Sequence, residues 1–244
     1  MSRALIGRNP VKEALKADQP LNKIYISQKL SSGSAGEIKA MAKERGIPVQ
    51  AVEKQRLDQL AQGGNHQGVV AVAAAKEYAD LDDLVVGKAA GRFPLLVLLD
   101  EINDPRNLGA ILRTADAAGV DGVVIPRRRA VALTSAVAKT SAGAVEYVPV
   151  ARVTNMVRTM DYLKEKGFWI AGAHGTGEQI YWDADFNVPL AIVVGGEDKG
   201  LSRLIRSKCD FLVQMPMAGR VGSLNASVAV ALLLYEVLRQ RRRD

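Results

Sequence analysis

Two glycine-rich stretches near the C-terminus read Ala191-Ile-Val-Val-Gly-Gly-Glu-Asp-Lys-Gly-Leu201 and Met215-Pro-Met-Ala-Gly-Arg-Val-Gly-Ser-Leu-Asn-Ala-Ser227. In both, a short apolar run ends abruptly in glycines and a few polar side chains, and the second leads into an apolar helix predicted to end near Leu238. Ligands of open α/β sheets bind at the carboxyl ends of strands, where backbone groups are free to reach outward. The two stretches therefore predict a small-molecule pocket.

The chain before these stretches alternates between strand and helix patterns. Pro94-Leu-Leu-Val-Leu-Leu-Asp100 is a continuous apolar run, which is typical of a strand buried on both faces. Five more strands are predicted up to Met215, and helices such as the one over residues 107–118 separate them. Such alternation predicts an α/β fold with a mostly parallel sheet covered by helices.

A smaller α/β unit is predicted ahead of this sheet. Strands are predicted over residues 23–27, 47–52 and 69–74, with helices between them. A unit of roughly 75 residues is large enough to fold alone. Between residues 76 and 93 the pattern weakens to the acidic and glycine-containing segments typical of a linker. The predicted organisation is therefore a first domain over 1–75, a linker over 76–93 and a second domain over 94–244.

The composition bounds the partners and the compartment. The chain carries 33 Lys and Arg against 26 Asp and Glu, a net charge of +7 with a pI near 9.5. This surplus suggests a polyanionic partner, because basic groups near phosphates release counterions, while a merely basic protein remains the alternative. The single cysteine, Cys209, excludes an internal disulfide and favours a reducing cytoplasm. With only two histidines no His/Cys metal cluster is expected, and no apolar run approaches the roughly 20 residues that span a bilayer.

Several polar residues could carry chemistry, and each also has a plain structural explanation. Asn107 stands where a helix N-cap is predicted. Arg113 follows six residues later and is either a solvated residue or a cation aimed into a site. Glu197 is either an exposed acid in a tight turn or a group at the end of a ligand-binding strand. Ser223 and Asn225 precede the last helix, so capping accounts for one of them.

Three spaced motifs together resemble a known family. They are Asn107-x-Gly109-x-x-x-Arg113, Val194-Gly-Gly-Glu197-x-x-Gly200 and Pro216-Met-x-Gly219-x-x-x-Ser223-Leu-Asn225-x-Ser227. In this order they resemble the motifs of the SpoU (TrmH-type) branch of the SPOUT RNA methyltransferases, over residues 95–239. Near the N-terminus, Gly7-Arg-Asn-Pro-Val-x-Glu-Ala-Leu15 and His66-Gln-Gly-Val-Val70 resemble the small RNA-binding domain of the RlmB-like ribosomal RNA members.

The resemblance implies S-adenosylmethionine-dependent methylation of a ribose 2′-hydroxyl in RNA, with a guanosine of 23S (large-subunit) ribosomal RNA as the expected target. It also implies a C-terminal trefoil knot, which sequence periodicity could not show, and a homodimer whose active site draws on both chains. The implied catalytic residues are Arg113, Asn107, Glu197, Ser223 and Asn225. The implied cofactor-binding residues are Ala173, Gly175, Gly195, Gly196, Gly200, Met215, Met217, Ser223 and Leu224.

The implied chemistry gives the main role to Arg113. A sulfonium methyl is already activated, so the enzyme must mainly align donor and acceptor and make the hydroxyl a better nucleophile. Arg113 is expected beside the ribose 2′-oxygen, where it would stabilise developing alkoxide charge. Asn107, Glu197 and Asn225 would hold this arginine and the ribose in place, and Ser223 would orient a nearby loop or contact the substrate. Because guanidinium groups stay protonated in proteins, the acceptor of the proton is left open.

Arginines are the candidates for RNA contacts: Arg8 in the N-terminal motif, and Arg127, Arg128 and Arg129 directly after a predicted strand end. Such a run is either a phosphate track or a solvated surface. Three alternative functions stay open: the same reaction on transfer RNA, a non-catalytic RNA-binding or ribosome-assembly protein, and a dinucleotide-dependent oxidoreductase. The last is disfavoured because Gly172-Ala-His-Gly-Thr-Gly177 lacks the G-x-G-x-x-G spacing of dinucleotide sites.

Overall fold

The computed structural model contains two units and describes residues 3–19, 21–30, 32–73, 77–86, 91–196 and 200–242. The first unit comprises Met1–Glu77 and Leu133–Tyr147, and the second comprises Tyr78–Ala132 and Val148–Asp244. The strands are β1 (Arg3–Ile6), β2 (Leu21–Ser27), β3 (Val49–Val52), β4 (Val69–Ala73), β5 (Leu95–Asp100), β6 (Gly122–Pro126), β7 (Val150–Val153), β8 (Trp169–Ala173), β9 (Gln179–Ile180), β10 (Leu190–Gly195) and β11 (Phe211–Gln214). The helices are α1 (Arg8–Lys16), α2 (Ser32–Glu44), α3 (Lys54–Ala61), α4 (Leu81–Val85), α5 (Pro105–Ala117), α6 (Ser135–Thr140), α7 (Met156–Glu165), α8 (Arg203–Arg206) and α9 (Ala226–Arg241), with a 3₁₀ turn over Ala144–Glu146.

The first unit is built on a mixed four-stranded sheet in the order β1-β4-β2-β3. Strand β4 is antiparallel to both β1 and β2, whereas β3 is parallel to β2. Helix α1 buries Val11, Ala14 and Leu15, whose spacing of three and one residues places them on one helix face. Helix α3 contributes Leu57 and Ala61 to the core of the sheet. The apolar pattern of the sequence thus orients both helices.

Leu133–Tyr147, which lies between β6 and β7 in the sequence, belongs to the first unit. It carries α6 and the 3₁₀ turn, and its residues contact α1 directly. The Tyr147 hydroxyl donates a hydrogen bond to Glu13 Oε2 at 2.6 Å, and a Cβ added to Gly143 would lie 2.5 Å from Glu13 Cβ. These contacts join residues more than a hundred positions apart, which no local pattern indicates. The domain boundaries at 75 and 94 stay a prediction.

The second unit contains a seven-stranded sheet in the order β7-β6-β5-β10-β8-β11-β9. Its pairings are parallel, which confirms the predicted α/β fold with a mostly parallel sheet. Strands β5 and β10 are buried along almost their whole length, as continuous apolar runs indicate. The six predicted strands do not include β9, because a strand of two residues is too short to show a periodic pattern of apolar residues. The trefoil knot stays a prediction, since strand order records which strands pair and not how the chain threads.

Helices pack on this sheet in two groups. Met160 and Leu163 of α7 share a core cluster with Leu96, Leu98 and other sheet residues. Helices α5 and α9 contact each other, and both present buried leucines and valines. Each such side chain contributes roughly 1.5–3 kcal/mol when removed from water, so this pairing is a firm part of the unit. Among the described residues, no helix is both long and apolar enough to cross a membrane.

Candidate active site

A cavity of about 570 Å³ opens where β8, β10 and β11 end. These three strands are neighbours in the parallel sheet, so their carboxyl ends meet at one edge, where ligands of such sheets bind. All nine residues predicted to bind the cofactor line this cavity: Ala173, Gly175, Gly195, Gly196, Gly200, Met215, Met217, Ser223 and Leu224. The structure therefore brings together residues from three separate segments of the chain.

Glycine is required at the turn after β10. A Cβ added to Gly195 would lie 2.2 Å from the carbonyl carbon of Gly200, a separation that no real Cβ tolerates. Gly200 itself has φ of +59° and donates its backbone N–H to the Gly196 oxygen at 2.8 Å. Because only glycine fits this close approach and adopts this φ at low cost, the turn folds back tightly and leaves the strand end open to the cavity. Glu197, within this turn, lies outside the described residues.

Asn107 and Asn225 are joined by a hydrogen bond, although 118 positions separate them. Asn225 Nδ2 donates to Asn107 Oδ1 at 3.0 Å. Asn225 also caps α9, since its Oδ1 accepts from the Ser227 backbone N–H at 2.9 Å, as the sequence predicts. The packing of α5 on α9 thus links the first and third motifs beside the cavity, which Ser223, Leu224 and Ala226 line.

The prediction that Asn107 caps its helix is wrong. Helix α5 begins at Pro105, and Asp104 is the N-cap, with its Oδ1 accepting from the Arg106 backbone N–H at 2.7 Å. Proline is favoured at the first helical position because its missing N–H would have no partner there. Asn107 therefore lies inside the first turn, where its side-chain oxygen is available to Asn225.

Arg113 lies on α5 and is exposed to solvent. Among the residues that the structure describes, its guanidinium forms no hydrogen bond or ion pair. An exposed cation on a helix that also carries Asn107 is placed to meet an anionic ligand. Its role stays a prediction.

His174 lines the cavity and was not among the predicted site residues. Its Nδ1 accepts from the Thr176 backbone N–H at 3.2 Å, so a neutral ring carries its proton on Nε2. Burial, followed by the nearby Arg206 charge, lowers the pKa of His174. Its place in the glycine-rich Gly172–Gly177 stretch after β8 was the available signal. The ring offers the cavity a neutral N–H donor.

Asp100 is a second group that the sequence analysis did not single out. It ends β5 opposite Gly195. Burial, and then the charge of Glu101, raise the pKa of the Asp100 carboxyl. Gly195, the neighbour of Asp100 in the sheet, lines the cavity, and carboxyls with a perturbed pKa near a ligand cavity are candidates for proton transfer. A long apolar run that ends in aspartate is the only sequence signal for it.

The predicted RNA-contact arginines lie in different surroundings. Arg127, Arg128 and Arg129 are exposed directly after β6, and Arg129 is paired with Glu101 at 3.0 Å. Arg8 begins α1 in the first unit, where its Nε donates to the Gln67 carbonyl at 3.0 Å. The three consecutive arginines therefore lie at the carboxyl end of β6 in the large sheet.

Cysteine and metal chemistry have little support in the described part of the chain. Burial raises the pKa of Cys209 to about 12, so its sulfur is a thiol rather than a thiolate at neutral pH. The thiol lies against Gly172 and donates weakly to the Ile205 carbonyl at 3.4 Å. Within the described residues, no group of three or more His, Cys, Asp or Glu side chains is arranged to hold a metal ion.

Comparison with known families now identifies the chain. The SpoU rRNA Methylase family matches residues 94–235, and the domain described as RNA 2'-O ribose methyltransferase substrate binding matches residues 4–79. The chain belongs to the SpoU family of RNA methyltransferases. This finding confirms the resemblance inferred from the three motifs. The matched residues include the cavity, α5 and the first part of α9.

Relatives of this SpoU protein are similar over nearly their full lengths. The Putative TrmH family tRNA/rRNA methyltransferase YacO of Bacillus subtilis is 50% identical over 97% of this chain and 95% of its own. A TrmH family protein of Staphylococcus aureus (strain COL) is 50% identical over 97% and 96%.

Two solved structures resemble the fold. The SpoU methyltransferase AviRb of Streptomyces viridochromogenes, in complex with the cofactor AdoMet, matches with a TM-score of 0.85, 28% identity and coverage of 98% and 90%. The AdoMet-bound rRNA methyltransferase of Sinorhizobium meliloti matches with a TM-score of 0.83, 26% identity and coverage of 99% and 88%.

Proposed function

We propose that this SpoU protein transfers the methyl group of S-adenosylmethionine to a ribose 2′-hydroxyl, with a guanosine of 23S ribosomal RNA as target. One observation carries the proposal: a glycine-lined cavity at the carboxyl ends of three parallel strands, with Asn107 of the first motif bonded to Asn225 of the third. The cavity volume, about 570 Å³, falls in the range of roughly 300–1,000 Å³ for ligand sites.

The residues around the cavity fit S-adenosylmethionine, the cofactor bound in the two AdoMet complexes that resemble this chain. The backbone of the Gly195–Gly196 turn and of Met215–Leu224 would hold the nucleoside and the amino-acid tail. Val213, Met217 and Leu224 give the cavity an apolar wall, which suits an adenine ring. When bound, the cofactor supplies an activated methyl group on a sulfonium.

The side chains of α5 and of the third motif would act on the ribose. The new bond joins the 2′-oxygen to the methyl carbon as the sulfur–carbon bond breaks, and the hydroxyl proton passes to an acceptor. Arg113 would stabilise the negative charge that develops on the oxygen. Asn107 and Asn225 would fix the approach of α5 to the cavity. Glu197 and Ser223 would help to position the ribose, a role that rests on their places in the second and third motifs. Asp100, with its raised pKa, is a candidate proton acceptor.

A homodimer is part of the proposal. Helix α9 exposes Val228, Leu232 and Tyr235 on one face, at 46%, 37% and 54% of their surface. Their spacing of four and three residues makes a continuous apolar stripe, and Tyr181 borders the same groove. A self-complementary contact through this face would bury the stripe. Light scattering should give twice the chain mass, and Tyr235→Glu should halve it.

The RNA target has one serious competitor. Transfer RNA is the second candidate, because the names of the bacterial relatives give tRNA beside rRNA. A non-catalytic RNA-binding role is disfavoured by the Asn107–Asn225 bond and by the intact motifs. The net charge of +7 suits any of these RNA partners.

Methyl transfer from labelled S-adenosylmethionine tests the proposal. The purified protein should label 23S ribosomal RNA and leave transfer RNA unlabelled, and mapping should place the group on a guanosine ribose. Arg113→Ala should lower turnover about 100-fold or more with unchanged binding of S-adenosylhomocysteine. Arg158→Ala, which removes an exposed arginine of α7, is the matched control. Label on transfer RNA would show that transfer RNA is the target, and failure to bind S-adenosylmethionine would refute the proposed methyltransferase activity.

A further inference from the structure

A second cavity, of about 270 Å³, lies at the outer edge of the large sheet. It is lined by Tyr78, Ala79, Asp80, Arg127 and Arg152. Ala79 bridges Ala151 of the edge strand β7 and donates its N–H to the Val150 carbonyl at 2.9 Å. The segment around Tyr78 is thus attached to the sheet. The cavity volume is just under the range of roughly 300–1,000 Å³ for drug-sized ligands, so it has room for about one base.

Arg152 is the unusual residue of this cavity. Its guanidinium lies over the Tyr78 ring, 4.9 Å from the centroid, and donates to the Arg127 carbonyl at 2.9 Å. Its Nε is buried without a hydrogen-bond partner. Among the described residues, no carboxylate pairs with Arg152, whereas Arg92 and Arg129 are paired with Asp121 and Glu101. The Arg152 guanidinium is held by the Tyr78 ring and the Arg127 carbonyl, so its positive charge is not neutralised by these partners and can attract an anionic or aromatic ligand.

We propose that this cavity binds one nucleotide of the RNA, a few residues along the strand from the methylated ribose. Its base would stack on the Tyr78–Arg152 pair, as unstacked RNA bases do on aromatic and guanidinium planes. The Asp80 carboxylate would accept hydrogen bonds from the base, and the exposed Arg127 and Arg128 would meet phosphates. The inference rests on the proposed function, because it assigns the RNA substrate to this edge.

The position of the cavity in the sheet sets the distance along the RNA. Arg152 lies near the end of β7, and the cofactor cavity begins at β10, three strands away in the order β7-β6-β5-β10. Strands lie about 4.8 Å apart, so the two sites are separated by roughly 14 Å across the sheet. A stacked strand rises about 3.4 Å per nucleotide and an unstacked strand advances further, so the span is at most about four nucleotides. Arg127–Arg129 follow β6, between the two sites.

Binding of a short, fluorescein-labelled single-stranded RNA of mixed sequence tests the proposal. Tyr78→Leu and Arg152→Lys should each weaken binding about 5-fold or more, because stacking is worth roughly 1–3 kcal/mol per base. Both variants should keep the dependence of affinity on KCl, since neither changes the charge. Arg127→Gln should reduce the salt slope by about one phosphate contact. Lys166→Gln removes an exposed lysine that stacks on Tyr162 at 5.3 Å and should leave RNA binding unchanged.

A second measurement separates this inference from the proposed function. The wild-type protein and each variant should bind S-adenosylhomocysteine equally, and 4-thiouridine in the RNA should cross-link to the peptide that contains Tyr78. If wild type methylates RNA while the variants bind RNA like Lys166→Gln and no cross-link forms, the nucleotide site is refuted and the enzyme stands. Loss of thermal stability with unchanged RNA affinity would instead make the Tyr78–Arg152 pair a purely structural attachment. Should Tyr78→Leu fail to fold, Arg152→Lys and the cross-link still decide.

Discussion

The bond between Asn107 and Asn225 should couple α5 to α9 energetically. Asn225 has two roles in the structure: its Oδ1 caps α9, and its Nδ2 donates to Asn107. Asn225→Ser separates these roles, because a serine hydroxyl also caps a helix but the shorter side chain has no amide N–H to donate to Asn107. Asn225→Ala removes both roles, and Asn107→Ala removes the acceptor.

The size of the coupling follows from where the bond lies. A neutral hydrogen bond contributes about 0.5–1.5 kcal/mol, and the exposure of Asn225 places this one toward the lower limit. Loss of an N-cap costs about 1 kcal/mol more. Asn225→Ala should therefore lower the free energy of unfolding by roughly 1.5–2 kcal/mol, and Asn107→Ala by roughly 0.5–1 kcal/mol. The double variant should recover a coupling of about 0.5–1 kcal/mol.

Urea unfolding and thermal melting of wild type, the two alanine variants, the double variant and the cap-retaining variant measure this coupling. In a chain of this length, each 1 kcal/mol should appear as a shift of roughly 2–4 °C in the melting temperature. Asn225→Ser should retain the capping contribution and lose the coupling to Asn107. Additive effects of Asn107→Ala and Asn225→Ala, within the error of a double-mutant cycle, would refute the argument that this bond ties the two motifs together.

Four further predictions concern the candidate site and the single cysteine. The pKa of His174 is lowered, so binding of S-adenosylhomocysteine should stay constant as pH falls through the ordinary histidine pKa near 6.5. Binding should weaken only at lower pH, where the ring becomes charged. His174→Ala should bind more weakly and lose this pH step. The same lowered pKa should make the folded protein less stable as pH falls below about 6.5, since the unfolded chain then binds the proton more readily. In His174→Ala the melting temperature should depend less on pH in this range. Gly195→Ala should weaken cofactor binding strongly, because its Cβ would lie 2.2 Å from the Gly200 backbone, whereas Gly175→Ala, with open space at its Cβ, should bind nearly as wild type. Native Cys209 should resist iodoacetamide at pH 8, since burial raises its pKa to about 12.

Each of these has a contrary outcome. A binding curve that drops near pH 6.5 in both wild type and His174→Ala would assign the titration to another group. Equal stability of wild type and His174→Ala across acidic pH would remove the linkage. Equal affinities of Gly195→Ala and Gly175→Ala would mean that the turn relaxes without affecting the cavity. Rapid stoichiometric alkylation of the native protein would place Cys209 in contact with solvent.

Local patterns in the sequence predicted much of the fold. Continuous apolar runs predicted β5 and β10, and the alternation of strand and helix patterns predicted the helix that is α5, because such patterns depend on neighbours in the sequence. The cap of α5 was misassigned from the same information. Asp104-Pro105 and Asn107 both offer capping chemistry, and only backbone geometry selects Asp104.

Much of the candidate site was also readable in advance. The nine cofactor residues that the family resemblance implied all line one cavity. The glycines among them lie where a backbone can come close to a ligand. His174 and Asp100 were missed, since their relevance depends on burial and on neighbouring charges that no spacing reveals.

The motifs and their order are properties of the chain, and they sufficed to indicate the family, the parallel sheet and the cofactor pocket. The hydrogen bond from Asn225 to Asn107, the contact of Tyr147 with Glu13 and the stacking of Arg152 on Tyr78 come only from tertiary structure. The physical reason is range. Strand and helix patterns arise from residues within a few positions of each other, whereas these contacts join distant residues whose meeting depends on how whole helices and strands pack.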